Sequence, residues 1–370
     1  MKQAKTHKTI LAIALLFMIL PALVIHLGLL PPVYLDGVVP QKDELELSWF
    51  DGSAQKEFES KLFHNTDFKS LCIRARNEFQ YSLFGKINAE SAYVFDDYFY
   101  RFYVHNYNED VFRLSQDSIT KTLADLVELQ KLIGENCPII CIIPPSKSRV
   151  FPEYLPERNV TKSKHTNYDR YKIGLAKNNF QVLDFNDYFV KNRDEFDAAV
   201  MAKGGVHWTY FAATLAMDSL VKTVSKLKNQ SFNQFTYSLS DCGGYNVDDQ
   251  DLALLLNLIF DRKDPKIKQV NLVQASSLKR KINAVIVGDS FFNVIEKSDL
   301  RKLVFTENTD FHYYFQTTID ANLKKTSIDI KKIKMQLKNA DCLIFINDVV
   351  NFEKFTFGFA NILVRELKEK

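Results

Sequence analysis

The feature that most constrains this chain is an alternation of short apolar runs and helical patterns after residue 110. Continuous apolar runs over 139–143, 284–287 and 342–346 read as strands that are buried on both faces. Helical patterns over 116–133 and 210–227 lie between these runs. Strands separated by helices predict an α/β fold with a mostly parallel, doubly wound sheet, in which ligands bind beyond the carboxyl ends of the strands.

The sequence pattern predicts several further elements. They are helices over 53–83, 167–177, 251–260 and 327–337, strands over 182–185 and 303–305, and a strand or hairpin over 92–107.

Residues 10–30 carry no formal charge and are long enough to cross a bilayer as one helix. Three lysines (Lys2, Lys5 and Lys8) precede this run, which predicts a cytoplasmic N-terminus and a single-pass protein of the inner (cytoplasmic) membrane, with the rest periplasmic or extracellular. A cleavable signal peptide is the alternative. The predicted organisation is a cytoplasmic tail over 1–9, an anchor over 10–30, a stalk with a helical and hairpin extension over 31–110, and a large α/β domain over 111–370.

Composition narrows the class of protein. Hydrophobic residues make up 46% of the chain and charged residues 25%, which is typical of a globular protein. The net charge of +3 gives no basic footprint for nucleic acid. Five scattered cysteines show neither metal-ligand spacing nor a disulfide framework, so we expect mainly buried thiols, no metal and no cofactor. A single disulfide is the alternative, and the sequence does not pair its cysteines.

Gly288-Asp289-Ser290 follows the apolar run over 284–287. Gly288 permits a tight turn, and a serine on such a strand-to-helix turn is exposed at the sheet edge, as nucleophiles are in several α/β hydrolytic folds. The alternative is an ordinary strand-end turn, since these residue types are common in turns.

A serine nucleophile needs a base, and His207 has the most telling setting of the seven histidines. It lies in Gly204-Gly205-Val206-His207-Trp208-Thr209, where Thr209 is suited to cap the helix that follows. The alternative is a histidine at a helix start that packs on Trp208.

Together these motifs resemble the SGNH-hydrolase-like domain of the alginate O-acetyltransferase family, in which the histidine also precedes the serine. The segments 142–147, 151–153 and Asp249-Gln250-Asp251-Leu252 are similar to further family signatures, and the similarity covers most of residues 45–350. The resemblance implies an SGNH-hydrolase-like domain over 111–370 with an SGNH-type fold, and an acetyl-serine intermediate on Ser290 with His207 as general base. It also implies a polysaccharide acceptor and a polytopic membrane O-acyltransferase as the source of acetyl groups.

One position departs from the family pattern. The family usually has an acidic residue two positions before the histidine, where this chain has Gly205. Another carboxylate then has to reach His207, with Asp289, Asp348 and Asp197 as candidates; otherwise the site is a slower Ser-His dyad, or the domain is inactive and only binds polysaccharide.

Further candidates concern the substrate. Lys147 and Arg149 at a strand end are candidates for binding an acidic sugar, with a solvated pair as the alternative. Tyr313 and Tyr314 are candidates for stacking on sugar rings, with core packing as the alternative, and Trp208 is a further candidate for binding the substrate. For the whole chain, an O-acetyltransferase is the first hypothesis, and a carbohydrate O-acetylesterase or a non-catalytic polysaccharide-binding component are the others.

Overall fold

The computed structural model describes residues 35, 51–55, 67–87, 92–95, 97–101, 113–155, 165–244, 249–260, 262–274 and 280–369. The predicted anchor over 10–30 and the predicted boundary at residue 110 lie outside these residues. Within the described ranges, no helix has the length and apolar character needed to span a bilayer.

The elements of the described ranges are numbered here in chain order. The strands are β1 (Ala92–Phe95), β2 (Tyr98–Arg101), β3 (Ile139–Ile143), β4 (Gln181–Asp184), β5 (Phe235–Asp241), β6 (Lys268–Gln274), β7 (Ala284–Gly288), β8 (Asp310–Tyr313), β9 (Thr317–Ile319), β10 (Lys325–Ser327) and β11 (Cys342–Ile346). The helices are α1 (Asp67–Phe84), α2 (Gln116–Ile133), α3 (Lys147–Val150), α4 (Asn167–Lys177), α5 (Phe185–Asn192), α6 (Tyr210–Lys228), α7 (Asp251–Leu255), α8 (Asn293–Glu296), α9 (Asp299–Val304), α10 (Ile330–Asn339) and α11 (Phe359–Lys368). Short 3₁₀ segments span Pro152–Tyr154, Arg193–Glu195 and Ser290–Phe292, and the 3₁₀ turns of Val349–Gly358 are interrupted by a non-helical kink over 354–357.

The chain divides into two compact units. The smaller comprises residues 1–90 and 253–261, and the larger comprises 91–252 and 262–370. In the smaller unit, polar side chains of helix α1 bind the main chain of the segment 253–260. Asn77 donates to the carbonyl of Leu256, and the buried carboxylate of Glu78 accepts the main-chain N–H groups of Ile259 and Phe260.

The larger unit contains a seven-stranded sheet in the order β10-β9-β8-β7-β11-β3-β4. The five strands from β8 to β4 run parallel, and β9 and β10 extend the sheet antiparallel at one edge. The prediction of an α/β fold with a mainly parallel sheet is therefore confirmed. Strands β3, β7 and β11, predicted from their apolar runs, form its centre, and every residue in them is buried.

Helices cover both faces of this sheet, because alternate residues of each central strand face opposite sides. Ile140 and Ile142 of β3 pack in the same core as the buried residues of α6, whereas Ile139, Cys141 and Ile143 pack with those of α2. Each such buried aliphatic side chain contributes roughly 2 kcal/mol relative to exposure. The two cores hold the strand ends, and hence the residues beyond them, in fixed positions.

The structure differs from the predicted elements in a few places. The run over 303–305 is not a strand, because it ends helix α9 and only Phe305 forms a single bridge, with Ile282. Strand β8 was not predicted, because the buried polar side chains of Asp310 and His312 interrupt its apolar pattern. All five cysteines are free thiols, and Cys137, Cys141 and Cys342 are buried as expected.

Candidate active site

The turn after β7 places Ser290 at the carboxyl edge of the sheet. A Cβ at Gly288 would lie 2.0 Å from the side chain and 2.7 Å from the carbonyl oxygen of Ile346 on β11, so the close approach of the neighbouring strand requires glycine here. Asp289 then caps the turn by accepting the Phe291 N–H at 3.1 Å. Ser290 begins the 3₁₀ turn Ser290–Phe292 and is half-buried at this edge.

The loop before α6 holds His207 opposite this turn. Thr209 caps α6 by accepting the Ala212 N–H, and its hydroxyl donates to the carbonyl of Ala199 at 2.6 Å. Trp208 is fully buried, and its indole N–H donates to the carbonyl of Phe291 at 2.9 Å. The residue after the histidine is thus bonded to the residue after the serine, which fixes the distance between the two side chains.

His207 bridges a hydroxyl and a carboxylate. Its Nε2 lies 2.8 Å from Ser290 Oγ, and its Nδ1 lies 2.7 Å from Asp251 Oδ2. The other oxygen of Asp251 accepts the Val206 N–H at 2.8 Å. Burial alone would raise the pKa of Asp251, but the hydrogen bond and charge of His207, with the Val206 N–H, hold that pKa below its usual value. The arrangement fits the tautomer that donates from Nδ1 to Asp251 and accepts the Ser290 hydroxyl at Nε2.

The main chain of Asp249, just before the carboxylate, fills the space that Gly205 leaves open. A Cβ at Gly205 would lie 2.8 Å from the carbonyl oxygen of Asp249 and 3.5 Å from Asp251 Oδ1. The segment that carries Asp251 is also held against the histidine loop by the main chain, since the Leu252 N–H donates to the carbonyl of Gly204 at 3.1 Å. Glycine at position 205 therefore lets a carboxylate 44 positions downstream of His207 reach the imidazole.

Lys147 holds the loop that carries His207 in place through hydrogen bonds to main-chain carbonyls. It is buried, and its ammonium donates to the carbonyls of Phe99 at 2.9 Å, Lys203 at 2.6 Å and Gly205 at 2.8 Å. Burial lowers the pKa of Lys147 to about 7, although nearby carboxylates oppose this shift. The prediction that Lys147 binds an acidic sugar, and the alternative of a solvated side chain, are both wrong, because three main-chain carbonyls surround its charge.

Asp289 does not orient His207 as proposed from the sequence. Its Oδ1 accepts the Phe291 N–H, and its Oδ2 accepts the Asp348 N–H at 2.6 Å and the Asn351 side-chain amide at 2.9 Å. Asp289 therefore ties the serine turn to the segment after β11, and Asp251 takes the place next to the imidazole. Burial raises the pKa of Asp289, although these three bonds oppose the rise.

The other two carboxylate candidates are also displaced, since both ring nitrogens of His207 are already bonded. Asp348 is buried beyond the end of β11, where burial and the charge of Asp289 raise its pKa well above the usual value. Asp197 is exposed. The sequence contained one sign of Asp251, the acidic-Leu signature over 249–252, but nothing in its spacing linked that signature to the histidine.

The predicted substrate contacts lie in different settings. Trp208 has no exposed surface on which a sugar ring could stack, so its role is to pack and to bond the serine turn. Arg149 stacks on the ring of Tyr168, with its guanidinium carbon 4.6 Å from the ring centroid. Tyr313 is half-buried at the end of β8, and its ring lies 4.5 Å from that of Tyr314.

Two further residues lie at this edge. Tyr314 has a φ of 48°, its N–H donates to the carbonyl of Gly288 at 2.8 Å, and its side chain interacts with that of Ser290. Burial, with the charge of Asp289, raises the pKa of Tyr314 to about 12. Asn347 follows β11 and is buried, and neither polar atom of its side-chain amide has a hydrogen-bond partner among the described residues.

Metal chemistry would require a cluster of ligands. In the described part of the chain, no group of three or more His, Cys, Asp or Glu side chains is placed to hold a metal ion. What the site does contain is a carboxylate, an imidazole and a hydroxyl in a continuous hydrogen-bonded line. This arrangement can remove the serine proton and turn the hydroxyl into a nucleophile.

Comparison with known proteins relates this geometry to a family. The family model described as the SGNH hydrolase-like domain of the acetyltransferase AlgX matches residues 102–290, which is just over half of the chain and includes His207, Asp251 and Ser290. No curated protein sequence matches the chain.

Similar solved structures include three at low sequence identity. The O-acetyltransferase domain of Pseudomonas putida AlgJ has 14% identity and a TM-score of 0.45, with 75% of this chain and 99% of that chain covered. Bacillus cereus PatB1 has 13% identity and a TM-score of 0.44, with 72% and 98% covered. Pseudomonas aeruginosa AlgX has 12% identity and a TM-score of 0.47, with 74% and 68% covered.

Proposed function

Because this chain belongs to the family of SGNH hydrolase-like acetyltransferase domains of the AlgX type, we propose that it transfers acetyl groups to hydroxyls of an exported or cell-surface polysaccharide. The observation that carries the proposal is the line of Asp251, His207 and Ser290, with contacts of 2.7 and 2.8 Å. An inactive polysaccharide-binding domain would have no need to keep this line intact. The hydrogen-bonded line of Asp251, His207 and Ser290 therefore favours catalysis over a purely binding role.

The proposed reaction has two steps, acetylation of Ser290 and transfer of the acetyl group to the sugar. In the first, Ser290 Oγ attacks the acetyl carbonyl of the donor while its proton passes to His207 Nε2; the bond to the leaving group breaks, and the leaving group takes that proton. In the second, a sugar hydroxyl attacks the acetyl-serine ester and gives its proton to His207. The bond from the acetyl carbon to Ser290 Oγ then breaks, and the proton returns to that oxygen. Asp251 stabilises the imidazolium in both steps.

Each step passes through an oxyanion that needs hydrogen-bond donors. Ser290 is the first residue of its 3₁₀ turn, and N–H groups at such a position have no acceptor within the turn. The buried amide of Asn347, without a partner in the described ranges, follows the strand residue that pairs with Gly288. We assign these two groups as the oxyanion donors.

We further propose that residues 10–30 anchor the protein in the inner membrane, with the catalytic unit on the periplasmic or extracellular side. Twenty-one uncharged residues after three lysines support this topology. There the unit would receive acetyl groups from a polytopic membrane O-acyltransferase. Retention in membranes after alkaline extraction, with the catalytic unit open to external protease on spheroplasts, would agree with this topology; release by alkali would contradict it.

The central experiment treats the purified full-length protein with p-nitrophenyl acetate and follows nitrophenolate release and intact mass. We expect one acetyl group on Ser290, absent from the Ser290→Ala variant. Addition of an oligosaccharide acceptor should discharge it onto the sugar, whereas discharge only to water would indicate an esterase. No acetylation in the wild type would refute the catalytic proposal.

A further inference from the structure

A groove opens beside the candidate active site. It lies between helix α2, the turn that carries Tyr314 and the segment 351–361, and its volume of about 540 Å³ is in the range of small-molecule sites. Tyr314 lines the groove and also interacts with Ser290. Asn351 lines it and donates to Asp289 of the serine turn. The groove therefore begins about one side chain away from the nucleophile.

The lining of this groove combines aromatic rings with uncharged polar groups. Tyr314 and Phe357 meet edge to face with their ring centroids 5.1 Å apart. Around them lie the amide and hydroxyl side chains of Ser118, Gln316, Asn351 and Asn361. Aromatic rings pack against the C–H faces of sugars, and amides and hydroxyls both donate to and accept from sugar hydroxyls. This chemistry fits a carbohydrate.

The charges in the groove cancel. Lys121 and Lys354 are matched by Asp125 and Glu353, and the Lys354 ammonium lies 3.7 Å from the Glu353 carboxylate. A surface that binds a polyanion has an excess of positive charge. Balanced charge favours an uncharged sugar chain over a chain of uronic acids.

The backbone of the groove is strained at the positions that face it. Tyr314, Thr356 and Phe357 all have φ between 48° and 66°, although none of them is glycine and Thr356 is β-branched. Conformations of this kind are costly for such residues and concentrate at sites where a ligand is held. They lie in the two segments whose rings, Tyr314 and Phe357, meet edge to face.

We propose that this groove binds an uncharged segment of the acceptor polysaccharide and presents one sugar hydroxyl to the acetylated Ser290. The inference rests on the acetyl transfer proposed above and specifies where the acceptor lies and what charge it has. It assigns Tyr314 and Phe357 as the rings that hold the sugar.

The test uses the full-length protein and separates the two half-reactions. Nitrophenolate release from p-nitrophenyl acetate reports acetylation of Ser290, and mass spectrometry of oligosaccharides reports transfer. Cellohexaose is the uncharged acceptor, and hexagalacturonate is the charged comparison. Binding of both to the Ser290→Ala variant is measured by calorimetry. We expect saturable binding and transfer with cellohexaose, and at least tenfold weaker binding of hexagalacturonate.

Variants then locate the site. Phe357→Ala should raise the KM for cellohexaose about five- to tenfold and leave the rate of Ser290 acetylation within twofold. Asn361→Ala, at an exposed position, should raise that KM about threefold and serves if the first variant fails to fold. Phe260→Ala removes a ring that is 66% exposed and does not line the groove, and it should change neither quantity.

A change of charge gives a gain-of-function test. The double variant Asp125→Asn, Glu353→Gln leaves two lysines uncompensated, so binding of hexagalacturonate should improve about five- to tenfold. The inference is overturned if Ser290 is acetylated normally but neither oligosaccharide binds, if hexagalacturonate is preferred by the wild type, or if the groove variants leave the KM unchanged. An absence of acetylation in the wild type would instead count against the proposed function.

Discussion

We expect Asp251→Asn to slow the acetylation of Ser290 about a thousandfold or more without unfolding the protein. When Ser290 attacks, His207 becomes an imidazolium whose charge is roughly 4 Å from that of the Asp251 carboxylate, given the contact of 2.7 Å at Nδ1. The Asp251 side chain is 32% exposed, so an effective dielectric constant of about 20 applies, and the interaction is about 4 kcal/mol. Loss of this energy from the transition state corresponds to about three powers of ten in rate.

The substitution also changes the tautomer of the imidazole. If the amide group of the introduced asparagine donates to Nδ1, the ring proton lies on Nε2. Nε2 then donates toward the Ser290 hydroxyl and cannot accept its proton. The fold should persist, because the asparagine oxygen can still accept the Val206 N–H that now bonds to Asp251. The burst of nitrophenolate from p-nitrophenyl acetate, with intact mass at short times, measures the acetylation rate directly.

The matched control is Asp197→Asn, which removes one carboxylate charge from an exposed position away from the imidazole. It should retain the wild-type rate. A folded Asp251→Asn protein that still acetylates Ser290 within threefold of the wild-type rate would refute the role assigned to this carboxylate.

Other substitutions test the groups that hold the site together. Because the pKa of Lys147 is lowered to about 7, the unfolded chain binds more protons there than the folded chain at higher pH, so this group makes stability rise with pH. In urea unfolding, the stability of the wild type relative to Lys147→Met should therefore increase by roughly 3 kcal/mol between pH 7 and about 9.5, and a constant difference would contradict this. In Asp289→Asn, the amide N–H group of the introduced side chain points at main-chain N–H donors, so the free energy of unfolding should fall by about 2–3 kcal/mol. An unchanged urea midpoint would show that Asp289 does not tie the serine turn to the segment after β11. Gly205→Asp should not rescue Asp251→Asn, because its Cβ would lie 2.8 Å from the carbonyl oxygen of Asp249; restored acetylation would show that the loop can move aside.

The central part of the fold could be predicted because its strands are short, fully buried apolar runs. The sequence intervals 139–143 and 342–346 coincide with β3 and β11, and the helix over 116–133 coincides with α2. Ser290 and His207 could also be placed, since each follows from a strand end or a helix cap, which are local features. The roles of both as nucleophile and base stay predictions until acetylation is measured.

The carboxylate and the substrate contacts could not be predicted, because they depend on contacts between distant parts of the chain. Asp251 reaches His207 only because the segments 204–207 and 249–252 pack together through main-chain bonds. Likewise, Lys147 follows a strand and reads as a surface cation. Its burial depends on three carbonyls, two of which come from residues more than fifty positions away.

Gly205 also bears on how related chains are sorted by sequence pattern. A pattern that demands an acidic residue two positions before the histidine would class this chain as an inactive relative. The structure instead provides a carboxylate from a second segment, at a distance suited to the same task. In such a site the carboxylate can come from a different sequence position while the histidine and the serine keep theirs. Apparent loss of one triad residue in an alignment is therefore a reason to examine the space around the histidine before activity is ruled out.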